Sequence, residues 1–505
     1  MIFLKNKNFY LVFLVLSILL HLLTINFQPV NDEYIFFKGA DFILTFEKNY
    51  SQIFFEYNAN TLGFSYLIAI IKFFFPFLET SQISKLLSVT SIFFYAEVAR
   101  MLYIYFKPKV NFKILLLVII LNPLIWNYAF RGIPNPFSSG LCLYAVCKII
   151  FLKNINFRLF FLILFSFGVI IKPFNAILLL ILFYVFYFEK NIKLKELVIF
   201  ILTFSLIISI YFVLNYIKYD FYLMPKSYSA LFKPNLNNFI VSFFTYIGFL
   251  FFASYPFFIK IIYDFCLRNK IYNLIYYSLI FVVSLYISKK FDIFLTEMNF
   301  GFLSQYLKKD IYELIIIINN FFFFTCIIHI FSNRQNNKNL KKNYLFLILI
   351  LSFIFIMSFT HSAQRYILVL IPIFYIIFLS LKNMLLMQLI SIISYIILNV
   401  IIFLNFYNNH VSITNIVNYL NDKNLIKETN PGYIGQHALN NFTSFYDENG
   451  MIEKSEIFEN KKYIIKDFKN INDKSIYETK VNTFGIKKNL FILENLRLNF
   501  GRRPE

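Results

Sequence analysis

The strongest constraint on the fold is a series of long apolar runs. Between Phe9 and Tyr407 the chain returns again and again to stretches that carry few or no charges. Each stretch is close to the ~20 residues that a helix needs to cross the hydrocarbon core of a bilayer. Only 15% of the 505 residues are charged, whereas a soluble domain carries about 25%. The pattern predicts an all-α polytopic membrane protein with about 13 transmembrane helices.

The net charge of +21 does not indicate a nucleic-acid partner. The lysines lie mainly in short loops between apolar runs, which is the positive-inside pattern of a membrane protein. The partner expected from this pattern is the lipid bilayer. None of the four cysteines forms a C-x-x-C pair, so neither a disulfide framework nor a zinc site is expected. The sequence contains neither a P-loop nor a G-x-G-x-x-G motif, so no nucleotide site is predicted.

The distribution of basic residues predicts the topology. Lys5 and Lys7 precede the first run, so the N-terminus is expected in the cytoplasm and residues 29–60 outside. The basic residues at 107–113 place that loop in the cytoplasm, so the chain must cross the membrane an odd number of times between residues 60 and 107. We therefore expect 83–106 to cross the membrane and 61–77 to be re-entrant or to lie along the outer surface. The C-terminus is expected outside. The basic clusters predicted to be cytoplasmic are Lys107/Lys109/Lys113, Lys153/Arg158, Lys190/Lys193/Lys195, Arg268/Lys270 and Arg334/Lys338/Lys341/Lys342.

One outer turn contains a lysine, at Lys172–Pro173. The stretch 157–188 has basic flanks and must cross an even number of times, as two helices of about 15 residues. Each helix then reaches only about 22 Å, which is short of the ~30 Å hydrocarbon core. The turn is therefore expected below the outer surface, where a buried cation needs an anionic partner. The alternative is that Lys172 extends outward to water.

The composition changes after Phe406. We expect residues 1–406, with the outer loop 29–60, to form the transmembrane domain and 407–505 to form a small extracytoplasmic α/β domain. The run Ile416–Lys427 is typical of an amphipathic helix. The short apolar runs Tyr463–Ile465 and Leu490–Leu493 are typical of strands.

The outer loop opens with two adjacent carboxylates, Asp32 and Glu33. Polar positions then recur every three or four residues along Asp32–Lys48, which predicts an amphipathic helix in the membrane interface, with Asp41 on its solvated face. Carboxylates here can act as a general base or only cap the helix. The cations predicted on the same side, which suit a phosphate, include Arg131, Lys172 and Arg365, with His361 beside them.

Several short motifs occur in a characteristic order. Asp32-Glu33-Tyr34 follows the first helix, and Thr61-Leu62-Gly63-Phe64-Ser65-Tyr66, Lys172-Pro173 and His361-Ser362-Ala363-Gln364-Arg365-Tyr366-Ile367-Leu368 with Pro372 come later. Together with the crossings, this order resembles the GT-C superfamily of membrane glycosyltransferases. Its members include protein O-mannosyltransferases and the transferase that attaches aminoarabinose to lipid A. The resemblance covers the architecture of residues 1–406.

The resemblance implies transfer of a sugar from a polyprenyl-phosphate donor to a hydroxyl of a glycan, lipid or protein acceptor, with inversion. Asp32 would be the general base and Glu33 would support it. Lys172, Arg365, Arg131 and His361 would hold the donor phosphate. Asp32 is alternatively a ligand of a divalent metal, Mg²⁺ or Mn²⁺. The implied location is the bacterial inner (plasma) membrane, with the active site on its outer face.

Two departures narrow the resemblance. Many relatives carry an acid in the loop that corresponds to Arg131–Pro136, where this chain has none, and this disfavours a two-carboxylate metal site. The lipid A enzymes carry Lys-Pro-Pro near residue 60, where this chain has Asn58–Thr61, so a lipid A acceptor is not supported. Two other functions remain open: an O-antigen-type polymerase or ligase, and a transporter or flippase of lipid-linked saccharides. The early acidic loop and the lack of an obvious internal repeat favour the transferase.

Overall fold

The computed structural model describes residues 2–29, 33–45, 61–106, 111–184, 193–219, 235–252, 271–290, 314, 317–318, 320–321, 340–359, 364–379, 385–430, 444–446, 452–454, 461–466, 469 and 473–494. Most of these residues are helical. The helices are α1 Ile2–Leu22, α2 Glu33–Thr45, α3 Gly63–Phe74, α4 Thr80–Phe106, α5 Phe112–Ile120, α6 Pro123–Ala129, α7 Pro134–Phe151, α8 Ile155–Ile171, α9 Leu179–Tyr184, α10 Leu194–Tyr219, α11 Leu236–Phe252, α12 Ile271–Lys290, α13 Leu340–Met357, α14 Ile371–Leu379 and α15 Leu385–Asp422. Two 3₁₀ helices, Pro173–Leu178 and Gln364–Val369, lie between them.

Within the described residues, three helices are long and apolar enough to cross a membrane: Thr80–Tyr105, Leu194–Lys218 and Leu389–Asp422. The pair α5 and α6 counts as a fourth if it is one span, bent by 54° at its break. Asn122 and Pro123 explain this break. The Asn122 side chain accepts a hydrogen bond from the backbone N–H of Leu124, and Pro123 occupies the first helical position, as expected at a helix start.

The segment 61–77 contains one short helix, α3. Its 12 residues span about 18 Å, which is too short for the ~30 Å hydrocarbon core. The start of α3 contacts the end of α8, because Thr61 Oγ1 donates to the carbonyl oxygen of Ile171 at 2.6 Å. Farther along, Ser65 Oγ donates to the carbonyl oxygen of Phe36 in α2 at 2.8 Å. The helix therefore packs along α2; that 61–77 does not cross the membrane stays a prediction.

Helix α2 begins and ends close to the predicted amphipathic helix, but the expected polar face is wrong in part. Tyr34, which the pattern placed with the polar residues, is 2% exposed. Asp41 is half-buried and receives a hydrogen bond from Thr80, so it does not lie on a freely solvated face. Sequence periodicity missed this because α3 and α4 cover the side of α2 that would otherwise meet water.

The C-terminal part of the chain contains a small sheet. The six described strands are β1 Thr429–Asn430, β2 Ser444–Tyr446, β3 Ile452–Lys454, β4 Tyr463–Lys466, β5 Ser475–Thr483 and β6 Ile486–Glu494. Four of them form a sheet in the order β1-β4-β6-β5, with β1 parallel to β4 and the other pairs antiparallel, while β2 and β3 form a separate antiparallel pair. The strands predicted from the apolar runs are confirmed within β4 and β6.

Helix α15 joins this sheet to the apolar helices without a break at Phe406. Its last turns pack on the sheet through a second hydrophobic core that contains Ile413, Ile416 and Leu420. The predicted helix Ile416–Lys427 is therefore the end of a much longer helix, which stops at Asp422. The change in composition marks the place where the helix passes from an apolar environment to the sheet.

Candidate active site

The carboxylate of Glu33 lies at the first residue of α2 and is 2% exposed as a residue. Its Oε1 accepts from Nε of Arg131 at 2.9 Å. Its Oε2 accepts from the backbone N–H of Gly132 at 3.2 Å. Both partners belong to the loop between α6 and α7. Glu33 therefore joins two distant segments and does not cap its own helix.

The loop that holds Glu33 is itself fixed to α4. Ser84 Oγ donates to the carbonyl oxygen of Gly132 at 3.2 Å, and Ser88 Oγ donates to that of Ile133 at 2.9 Å. A side chain at position 132 would collide with Ser84, because an added Cβ would lie 2.2 Å from Ser84 Oγ. Glycine thus permits the close approach that brings the Gly132 N–H to Glu33.

Lys85 fixes the chain that leads into the acidic pair. This residue is 4% exposed, and its Nζ donates to the carbonyl oxygens of Thr24, at 3.1 Å, and of Phe27. Gln28 is held as well, because its backbone N–H donates to Nδ1 of His410 at 3.2 Å. The charge of Lys85 also interacts with that of Glu33. The segment before the acidic pair is therefore held by α4 and α15.

Lys172 lies in the turn between α8 and the 3₁₀ helix Pro173–Leu178 and is 5% exposed. The side chain is buried within the protein, as expected, while the depth of the turn in the membrane stays a prediction. Its Nζ lies 5.6 Å from the ring centroid of Phe36 in α2, within the range of a cation–π interaction. Phe36 follows Glu33 by three residues, so the cation and the carboxylate lie beside the same first turn of α2.

The motif around Gly63 holds this turn against α2. Thr61 Oγ1 hydrogen-bonds the carbonyl of Ile171, which lies in the last turn of α8 where carbonyls lack helical partners. An added Cβ at Gly63 would lie 2.8 Å from the Ile170 carbonyl oxygen. Ser65 then reaches Phe36. The quoted motif therefore connects the Lys172 turn to the helix that begins at Glu33.

The segment that carries Arg365 packs near the Lys172 turn through its neighbour Tyr366. Arg365 lies in the 3₁₀ helix Gln364–Val369, where its guanidinium carbon is 5.8 Å from the ring of Tyr366. The Tyr366 ring in turn lies 5.0 Å from that of Phe174, two residues after Lys172. The contacts described above therefore connect the segments that carry Glu33, Arg131, Lys172 and Arg365. Asp32 and His361 lie outside the described residues.

A polar cavity of about 250 Å³ opens where α2 meets the end of α3 and the start of α4. Asp41, Lys72 and Glu79 supply its charged groups, and the other lining residues are Tyr34, Phe37, Thr80 and Ser81. Burial raises the pKa of the Asp41 carboxyl, although the Thr80 hydrogen bond and the charges of Lys38 and Lys72 act in the opposite direction. Lys72 Nζ donates to the carbonyl oxygens of Pro76 and Leu78 at 2.7 and 2.6 Å.

The residues around Glu33 do not fit a divalent metal. Both Glu33 oxygens already accept hydrogen bonds, and its charged neighbours Arg131 and Lys85 are cations; Asp32, the predicted metal ligand, lies outside the described residues. Among the described residues, no group of three or more His, Cys, Asp or Glu side chains is arranged to hold a metal ion. Divalent magnesium and manganese require several oxygen ligands. The arrangement suits an anion instead.

The sequence did not predict the contacts made by Lys85, by Gly132 and by the serines of α4. A signal for them was present, because Ser81, Ser84, Lys85 and Ser88 recur at helical spacing in the first turns of α4. Such a polar stripe indicates a face that packs against polar backbone.

The chain matches no protein-family model, no curated protein and no solved structure.

Proposed function

We propose that the protein is a membrane glycosyltransferase that moves a sugar from a polyprenyl-phosphate donor to an acceptor hydroxyl. The single observation that carries the proposal is the buried Lys172, which lies beside the first turn of α2, directly after the acidic pair. A buried cation in a membrane protein is expensive and normally serves an ion or substrate. A lipid-linked phosphate that enters from the bilayer supplies the negative charge.

Arg131 and Arg365 support the same assignment. Arg131 is already paired with Glu33, so it contributes by orienting that carboxylate and by keeping the local charge positive. Arg365 is only partly buried and can direct its guanidinium to phosphate oxygens in a bidentate fork. The Nδ2 of Asn135, four residues after Arg131, is a further donor: it is buried and has no hydrogen-bond partner in the described part of the chain.

The proposed chemistry is a single displacement. The Asp32 carboxylate takes the proton of the acceptor hydroxyl, whose oxygen forms a bond to the anomeric carbon of the donor sugar. The bond between that carbon and the phosphate oxygen breaks, and its electron pair leaves on the polyprenyl phosphate. Lys172, Arg365 and the region of His361 stabilise this developing charge. Attack opposite the leaving group inverts the anomeric centre, as in inverting glycosidases.

The membrane arrangement follows from the loop charges. We propose about 13 crossings in the inner membrane of a bacterium, with a cytoplasmic N-terminus. The acidic pair, the Lys172 turn and the C-terminal sheet then lie on the outer side. The short α3 supports this count, because a segment 61–77 that does not cross keeps every later basic cluster on the cytoplasmic side.

Donor binding by purified, reconstituted protein tests the proposal. Polyprenyl-phosphate sugars with a labelled sugar are offered to the wild type and to Lys172→Met. We expect Lys172→Met to weaken donor binding by at least about tenfold, because one charge-assisted contact contributes roughly 1.5–3 kcal/mol. Lys72→Met is the matched control, since Lys72 is also a lysine close to α2 but lines the cavity beside Asp41 instead of the Lys172 turn.

Two results would contradict the proposal. The first is unchanged donor binding in a folded Lys172→Met protein. The second is movement of the labelled donor across the membrane with its sugar–phosphate bond intact and no release of polyprenyl phosphate, which is the behaviour of a transporter and not of a transferase.

A further inference from the structure

The tip of the hairpin between β5 and β6 has an unusual residue in a strained position. The two strands are joined by only two residues, Phe484 and Gly485, with φ values of +50° and +84°. Turns with two positive φ values favour Asn-Gly, because asparagine and glycine tolerate the left-handed region. A bulky aromatic residue there is an outlier, and such strain is normally retained for function.

The side chain of Phe484 gains nothing from packing within the protein. It is 92% exposed, and an aromatic ring in water loses the favourable burial that normally accompanies it. The strain and the exposure together indicate that this ring contacts something outside the described chain.

The position of the tip identifies that environment. Asn408 in α15 holds both sides of the turn: its Nδ2 donates to the carbonyl oxygen of Ile486 at 2.8 Å, and its Oδ1 accepts from Thr483 Oγ1 at 2.7 Å. Among the described side chains of α15, exposed large apolar residues occur as far as Tyr407 and end there.

We propose that Phe484 inserts into the surface of the bilayer, in the leaflet on whose side the sheet lies. The tip is fixed at the residue where the apolar surface of α15 ends, which is the depth at which aromatic side chains are favoured. Lys480 and Lys487 lie on the exposed face of the same hairpin and contact anionic lipid headgroups there. Lys480 also lies 3.4 Å from Glu478. The proposal does not depend on the transfer reaction.

Fluorescence quenching by brominated lipid tests the insertion. Phe484→Trp in the full chain is reconstituted in vesicles of brominated or ordinary phosphatidylcholine, and the signal of the wild type, whose one tryptophan is Trp126, is subtracted. Asn489→Trp is the matched control, because it lies on the exposed face of the same hairpin but farther from the turn. We expect at least a twofold loss of fluorescence for Phe484→Trp and little loss for Asn489→Trp. Equal quenching of the two would overturn the proposal.

Two further variants separate insertion from folding. Phe484→Asn creates the favoured Asn-Gly turn, so its thermal midpoint in detergent should rise. In vesicles, its hairpin amides should exchange hydrogen at least fivefold faster than in the wild type, and an unchanged exchange rate would contradict membrane contact. Adding phosphatidylglycerol should deepen the quenching of Phe484→Trp. Lys480→Gln with Lys487→Gln should remove that increase, and its persistence would exclude the lysine contacts.

Discussion

The two ends of α2 carry carboxylates in contrasting environments. At the first residue, the Glu33 side chain is 3% exposed and is bound by Arg131 and Gly132, which are 98 and 99 residues away. Four residues before the last, Asp41 borders an open cavity, and Thr80 acts on its carboxyl. Both ends also have a lysine nearby: Lys172 is buried at the first end, whereas Lys72 is partly exposed at the second.

The two regions differ in the free-energy cost of keeping their charged side chains. A buried ion pair gains little stability over apolar residues of similar size, since both ions lose their hydration. Charges retained in such a setting are therefore candidates for function. Partly exposed charges such as those near Asp41 cost little and need no such explanation. The comparison favours the first end of α2 as the place of the proposed chemistry. Changes at the Glu33–Arg131 pair and at Asp41 test the difference between the two environments.

Breaking the Glu33–Arg131 pair should have the larger effect. Arg131→Met leaves Glu33 as an uncompensated buried charge, and we expect the free energy of unfolding to fall by about 3 kcal/mol. Adding Glu33→Leu to Arg131→Met should recover part of that loss, because the unpaired Glu33 carboxylate is then removed, while Lys85 loses the favourable charge of Glu33. Unfolding in mixed micelles with increasing SDS measures both. A double variant as unstable as Arg131→Met alone would show that the pair is not the cause.

Changing Asp41 should have a smaller effect that depends on pH. Because burial raises the pKa of Asp41 above its usual value of 3.8, the folded state favours the protonated form. This contribution is fully present below pH 3.8 and is lost as the pH rises through the raised pKa. Asp41→Asn should therefore gain in thermal midpoint relative to the wild type as the pH rises from about 3.5 to 7. A difference in midpoint that stays constant over this range would refute the assigned burial.

The sequence predicted the parts of this molecule that depend on local pattern. The helix after the acidic pair, the two C-terminal strands and the burial of Lys172 all follow from periodicity or from helix length. The contacts of Lys85 could not be predicted in the same way, because its partners are backbone carbonyls at Thr24 and Phe27. Backbone carbonyls leave no trace in side-chain composition, so the polar stripe of α4 indicates a packed face but does not identify its partners.

The partner of Arg131 could not be predicted from the sequence either. The pattern placed Arg131 and Glu33 on the same side of the membrane, and both roles, phosphate contact and carboxylate partner, were compatible with that position. The choice depends on Gly132, whose lack of a side chain lets the loop approach Ser84 and thereby brings the Arg131 guanidinium to Glu33. Close approaches of this kind depend on tertiary packing.

The central claim is that chemistry occurs at the start of α2 and not at its other end. The most direct test compares Asp32→Asn with Asp41→Asn in one assay of sugar transfer from a labelled polyprenyl-phosphate donor, using protein shown to be folded and to bind donor. Loss of a general base predicts a decrease in kcat of about 10²–10⁴-fold for Asp32→Asn, while Asp41→Asn keeps near-normal turnover. Normal turnover by Asp32→Asn, or an equal loss in both variants, would contradict the claim.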